Sequence, residues 1–218
     1  MMRKDFDQNL SSQDLKSLVR EGEHENQDFK YKISNSRKIA RTLSSFANTS
    51  GGRLLVGVRD NGQIAGVKDE DDIYMIESAA DIWLSPRIEI EVFAHLIDGK
   101  LVWEVVVPEG KEKPYAVEEE TGMVAYYRDE DQNFAANAVL KEIWRQDARN
   151  ESRHPVPFSE KEKRLIQYIK DYNEVTVSKA SKVMELPRNK TIATLARLVR
   201  WEVISWKLEQ NQFLYTLD

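Results

Sequence analysis

Arg188, Asn189, Lys190, Thr191, Thr194 and Arg197 fall within one short stretch of the chain. Arg, Asn and Thr side chains match the donor and acceptor patterns of base edges, while Lys meets phosphate as a point charge. On the exposed positions of one helix they would form a groove reader. A second basic set, Lys30, Lys32, Arg37, Lys38 and Arg41, is spread over a predicted strand and the helix after it. Arg37 and Arg41 are four apart and share a helix face. A solvated basic face and a phosphate-contacting one both satisfy that pattern. A third constellation is Phe46, Asn48, Thr49, Gly51 and Gly52. Two glycines let a chain leave a helix through conformations other residues resist. Asn and Thr there have short side chains that bond nearby backbone. Such a corner either turns the chain or brings its amides to a phosphate.

Other chemistries are poorly provided for. The sequence has no cysteine, which removes disulfides, thiolate zinc sites and cysteine nucleophiles together and suits a cytoplasmic location. His24, His95 and His154 have no ligand spacing and read as ordinary surface or edge residues. No Gly-x-x-x-x-Gly-Lys-Ser/Thr segment is present, and Gly51-Gly52-Arg53 does not replace it, so ATP hydrolysis is not expected. Trp83, Trp103, Trp144, Trp201 and Trp206 read as core or interdomain anchors rather than stacking platforms. No run approaches the roughly 20 apolar residues of a membrane span, and no apolar stretch follows the basic start as in a signal peptide.

The chain has 218 residues, 41% of them apolar and 32% charged, enough for two modest domains with real cores. The formal net charge of -5 is unevenly spread. From residue 151 onward there are twelve Lys/Arg against nine Asp/Glu, leaving the acidic excess upstream. That asymmetry points to two modules with different electrostatic tasks, since binding follows the local field of a patch. The prolines at 155 and 157 mark the expected boundary, with modules over 1–150 and 151–218.

The elements that must position these side chains can be read from periodicity. Ser11 or Ser12 caps a helix carrying Leu15, Leu18 and Val19. Residues 27–32 alternate as a half-exposed strand, and Asn35 caps a helix with Ile39, Ala40, Leu43, Phe46 and Ala47 inward. A buried strand follows at 54–58, and Asp60-Asn61-Gly62 turns it into a return strand at 64–67. An acidic start at 69–72 opens a helix to about 84. A second hairpin turns at Asp98-Gly99 between strands 88–97 and 101–107. A strand near 123–128 and a helix near 135–146 complete the first module as an α+β, mixed-sheet unit. Beyond the prolines, Ser159 with Glu162 forms a capping box, and Ser178 caps a second helix. Residues 188–199 form a third helix, and strands at 203–208 and 213–217 close the chain. Three helices and a hairpin are the plan of a winged helix-turn-helix.

The segment 44–58, Ser-Ser-Phe-Ala-Asn-Thr-Ser-Gly-Gly-Arg-Leu-Leu-Val-Gly-Val, resembles the Schlafen AlbA-type family of divergent-AAA, DNA-binding-type domains. Asp60-Asn61-Gly62, Gly66-Val67, Asp28-Phe29-Lys30, Pro114-Tyr115 and Tyr126-Tyr127-Arg128 follow the family's order of motifs over roughly residues 10–148. Some members cut RNA with three carboxylates. The matching positions here are Glu23, beside the alternatives Glu21 and Glu25, then Asp28, which replaces the usual Glu, and Asp60. Such a cluster could hold a divalent metal against a phosphodiester; as isolated residues they are simply solvated carboxylates. No cofactor is expected otherwise.

The resulting expectation is a cytoplasmic DNA-binding transcriptional regulator whose partner is double-stranded DNA, with no membrane association and with homo-oligomerisation open. A metal-dependent RNA or DNA endonuclease and a protein-interaction scaffold are the alternatives.

Overall fold

In the computed structural model, residues 4–5, 12–68, 70–151, 157–210 and 212–217 are described. Ser11, Asp69, His154 and Pro155, named above, lie outside them. The chain divides into two compact units, residues 1–136 and 137–218.

The first unit is built on a mixed five-stranded sheet. It contains β1 (Lys4–Asp5), β2 (Gln27–Lys30), β3 (Gly52–Val56), β5 (Glu91–Ile97) and β6 (Lys100–Val107) in the order β1-β5-β6-β3-β2. β2 runs parallel to β3 and β1 to β5, while β6 is antiparallel to both its neighbours. The strand period of two sorts the side chains of β3. Leu54 and Val56 face the main core with α2 (Ser36–Asn48) and α3 (Asp71–Asp81), and Leu55 packs with Leu15 and Val19 of α1 (Ser12–Glu21) on the other face. A strand covered on both faces must be apolar throughout, which is why 54–56 reads as an unbroken run.

α2 is buried at every position from Ile39 to Asn48 apart from Arg41. Its Asn35 cap forms as expected, with Lys38 N–H donating to Asn35 Oδ1 at 3.0 Å. Beyond the first sheet, α2 packs against a second one of β4 (Leu84–Ser85), β7 (Ala116–Glu119), β8 (Gly122–Asp129) and β9 (Gln132–Ala135). A helix held between two sheets has few solvent-facing positions, so polar residues on it must find partners inside.

The Asp98-Gly99 hairpin forms with φ of 49° and 77°, the left-handed pair of a type I′ turn. The Asp60-Asn61-Gly62 turn also forms, with Gly62 N–H donating to the Arg59 carbonyl at 2.8 Å. The return strand at 64–67 does not. Among the described residues a single bridge, Val58 with Ile64, stands in its place, because both edges of β3 are already taken by β2 and β6.

The second unit contains α4 (Ala138–Ala148), α5 (Glu160–Tyr172), β10 (Glu174–Val175), α6 (Val177–Met184), α7 (Arg188–Arg200), β11 (Ile204–Glu209) and β12 (Gln212–Leu217). The strands form one sheet, β10-β12-β11. Ser159 and Glu162 make the expected capping box. α6 is capped by Thr176 instead of Ser178, its hydroxyl accepting from Lys179 N–H at 3.2 Å.

The division precedes α4 instead of following it, so the boundary expected at 150/151 is corrected. Val139 sits in a core with Leu165, Leu195, Leu198 and Tyr215. Gln146 Nε2 donates to the Ala193 carbonyl at 3.0 Å, and Arg200 Nε lies 3.0 Å from Asp147 Oδ1. Prolines interrupt a helix without deciding which core its apolar face joins. With α4 included, the second unit holds fifteen Lys/Arg against eleven Asp/Glu, so the charge asymmetry persists.

Candidate nucleic-acid interface

Of the three carboxylates, the fold brings two together. Asp28 is buried on the edge strand β2, and Glu23 lies just before it, its Oε1 accepting the Phe29 N–H at 2.9 Å. Burial, then hydrogen bonding with Asp28, pushes the Glu23 carboxyl above its ordinary value. The chain bend needed to align two acids five apart is supplied by the bridge between His24 and Gln27. Asp60 is exposed in its turn, and among the described residues no three His, Cys, Asp or Glu side chains group as a metal site. The expected triad is thus corrected to a pair.

That pair is already answered by cations. Lys30 Nζ lies 2.7 Å from Asp28 Oδ2 and 3.9 Å from Glu23 Oε1. Arg128 Nη2 is 3.4 Å from Asp28 Oδ1. With a cation at each Asp28 oxygen, these residues do not fit a divalent metal, which needs several free anionic oxygens.

Arg128 is the residue that sequence reading passed over, although its signal, Tyr126-Tyr127-Arg128, was noted. Its side chain is fully buried. Its nitrogens donate to the carbonyls of His24 and Gln27, both at 3.0 Å, and to Asn133 Oδ1 at 3.1 Å, while the guanidinium lies 4.9 Å from the Phe46 ring centre. A planar fork with five donors can tie β8 to β2 in this way.

The glycine corner is structural. Gly51 has φ +76°, and its N–H donates to the Phe46 carbonyl at 2.9 Å, so that amide is not free for a phosphate. A Cβ on Gly52 would collide with the Phe46 ring. Asn48 Nδ2 donates to the carbonyls of Tyr115 and Tyr126, both at 2.8 Å. Thr49 Oγ1 donates to the Ser45 carbonyl at 2.8 Å and accepts from Arg128 N–H at 3.1 Å. These residues join α2 to the second sheet.

The basic set of the first unit is largely engaged as well. Arg41 grips Glu119 with two bonds of 2.6 and 2.8 Å, holding that carboxyl below its ordinary value, and Tyr126 Oη donates to the same carboxylate at 2.8 Å. The Arg37 guanidinium lies 4.6 Å from the Trp83 ring centre. Lys30 is spent on the acid pair. Lys32 and Lys38 are exposed. His95 is not a surface residue: it is buried on the sheet, 2.9 Å from the buried Glu104, which also meets Arg53 at 3.3 Å.

In the second unit α7 follows α4, α5 and α6, and its first turn is its most open part. Arg188, Asn189 and Lys190 are exposed. Thr191 and Thr194 are buried, their hydroxyls bonded to backbone carbonyls one turn back, which corrects their assignment as base readers. Arg197 donates to Glu162 Oε1 at 2.5 Å and lies 5.2 Å from the Trp201 ring centre. α7 packs against both α4 and α6, so little of its length faces outward.

The family called Schlafen, AlbA_2 matches residues 23–137, more than half of the chain. The chain belongs to that family. No curated protein sequence matches it. Among solved structures, the DIP2311 protein from Corynebacterium diphtheriae aligns with 18% identity and a TM-score of 0.46, over 87% of this chain and 34% of that one. The chain thus spans about a third of that protein. The N-terminal domain of a RecG-related protein from Nitrosomonas europaea aligns with 21% identity and a TM-score of 0.41, over 59% and 95%. The Schlafen AlbA_2 chain is α+β with a mixed sheet, and among its described residues no helix is long and apolar enough to cross a membrane.

Proposed function

We propose that this Schlafen AlbA_2 protein binds nucleic acid, and that its second unit holds double-stranded DNA as a transcriptional regulator would. The observation that carries the reading is the first turn of α7, where Arg188, Asn189 and Lys190 stand exposed while the rest of the helix is buried or half-buried. The order α5, β10, α6, α7, β11, β12 supports a winged helix-turn-helix, in which that turn meets the major groove. Arg188 also borders a groove with residues 176–178 at the start of α6 and with Gln212 of β12, where a backbone phosphate would lie. The net positive charge of this unit favours the same partner.

Fluorescence anisotropy on random and selected duplexes over a salt series tests this. Lys190→Ala should weaken all duplexes alike and lower the salt slope by about one unit. Arg188→Ala or Asn189→Ala should cost about 1–3 kcal/mol at a preferred site and less elsewhere. Thr191→Ala should leave sequence preference unchanged. Salt-independent behaviour, or binding unaltered by all three first-turn substitutions, would refute the reading and leave a protein-interaction scaffold.

A further inference from the structure

We propose that the groove between α1 and the β5–β6 turn of the first unit binds a phosphomonoester carried on a small flat body, as in a nucleoside monophosphate. The groove measures about 320 Å³, and Val19, Ile64 and Ile97 contribute to its lining. Specific small-molecule sites combine an apolar surface with a few fixed polar groups, and this volume lies at the lower end of their range.

Three cations border it. Lys16 and Arg20 stand one helical turn apart on the same face of α1. Lys100 begins β6, and its ammonium donates to the Ile64 carbonyl at 2.8 Å. The root of that side chain is pressed toward Gly66, where an added Cβ would lie 3.0 Å from Lys100 Cβ. An ammonium has three donors, so the bond to Ile64 orients Lys100 and leaves two for an anion. The one acid at the rim, Asp98, lies 2.8 Å from Lys16. Among the described residues Arg20 has no ion-pair partner. After Lys16 and Asp98 cancel, Arg20 and Lys100 leave two positive charges beside an apolar surface, in a unit whose overall charge is negative. A dianionic phosphate answers that pair of charges, and a base can lie against Ile64, the half-buried apolar residue of the lining. The groove belongs to the first unit and α7 to the second, so its test does not rest on DNA binding.

The test is amide chemical-shift titration of the full chain with uridine 5′-monophosphate, with uridine and inorganic phosphate as separate arms. The monophosphate should shift residues 16–20, 62–64 and 98–100 and bind more tightly than either fragment. Arg20→Ala, an exposed change, should weaken it about fivefold, the size of one solvent-screened ion pair. Asp98→Asn, which frees Lys16, should tighten it, and Lys111→Ala should do neither. Inorganic phosphate or uridine binding as well as the nucleotide would overturn the proposal. So would shifts elsewhere, or an Arg20→Ala variant that binds normally.

Discussion

Asn48 and Tyr115 exchange two hydrogen bonds of 2.8 Å, the Tyr115 N–H donating to Asn48 Oδ1 and Asn48 Nδ2 donating to the Tyr115 carbonyl. A side-chain amide here completes the backbone pairing of another segment, at a buried position. Asn48→Ala should therefore orphan backbone groups of both Tyr115 and Tyr126, at about 1–3 kcal/mol for each group left unmet. Chemical denaturation of the full chain would measure it. A midpoint equal to wild type would show that these bonds are dispensable.

The two glycines of the corner should fail in different ways. Gly51→Val carries the left-handed backbone cost of about 1–2 kcal/mol and drives a Cβ to 2.8 Å from the Glu109 nitrogen. Gly52→Val collides first with the Phe46 ring. Adding Phe46→Leu should recover part of the Gly52→Val loss and none of the Gly51→Val loss, read by thermal melting.

Glu162 gives the second unit a pH dependence. Burial alone would raise its carboxyl, but bonds from Ser159 and Arg197 outweigh this and hold it below its usual value of 4.5. The folded state thus favours the ionised form. Its stabilisation is complete above the unfolded value and is lost as pH falls through the lowered one. Glu162→Gln should reduce the melting temperature at neutral pH, with the gap to wild type closing in acid below about pH 4. A gap independent of pH would show that the charge is immaterial.

Glu23 should behave oppositely. Its carboxyl is raised by burial and by Asp28, so ionisation there opposes folding at neutral pH. Glu23→Gln keeps an acceptor for the Phe29 N–H and should leave stability unchanged or higher at neutral pH. The difference should vanish at a pH where Glu23 is protonated in both states. Marked destabilisation at neutral pH would show that the Lys30 contact outweighs the repulsion.

Local chemistry was the legible part of this sequence. The caps at Asn35 and Ser159, the Asp98-Gly99 turn and the apolar faces of α2 and α7 follow from side chains acting within a few residues. What escaped depends on partners far along the chain. Nothing near Arg128 tells that β2 lies within its reach. Nothing near Thr191 or Thr194 tells that α4 and α6 will crowd α7. The return strand after Gly62 failed for the same reason, since a local turn signal cannot report that β6 has already claimed the edge. Of the candidate site, the fold brings Glu23 and Asp28 together and leaves Arg188, Asn189 and Lys190 exposed. Asp60, Arg41 and Arg197 are separated from the roles expected of them by exposure or by ion pairs.

Fragments should show where the division lies. Residues 137–218 should unfold cooperatively on their own, whereas 151–218 should lack the contribution of Val139 to the core and the bonds from Gln146 and Asp147. Comparable melting of the two fragments would place α4 outside the folding unit.

Asn137 closes the family match and also begins something else. It is the final residue matched at 23–137, and its Oδ1 caps α4 by accepting from Val139 and Leu140 N–H, while its Nδ2 reaches Tyr215 Oη at 3.3 Å. One amino acid thus serves as the border post of two modules. A gene fusion joining a Schlafen AlbA_2 segment to a different follower at the prolines would carry α4 away from the core it completes. Recombination that preserves both halves would have its seam at or before this asparagine, since positions 155 and 157 fall within the second unit.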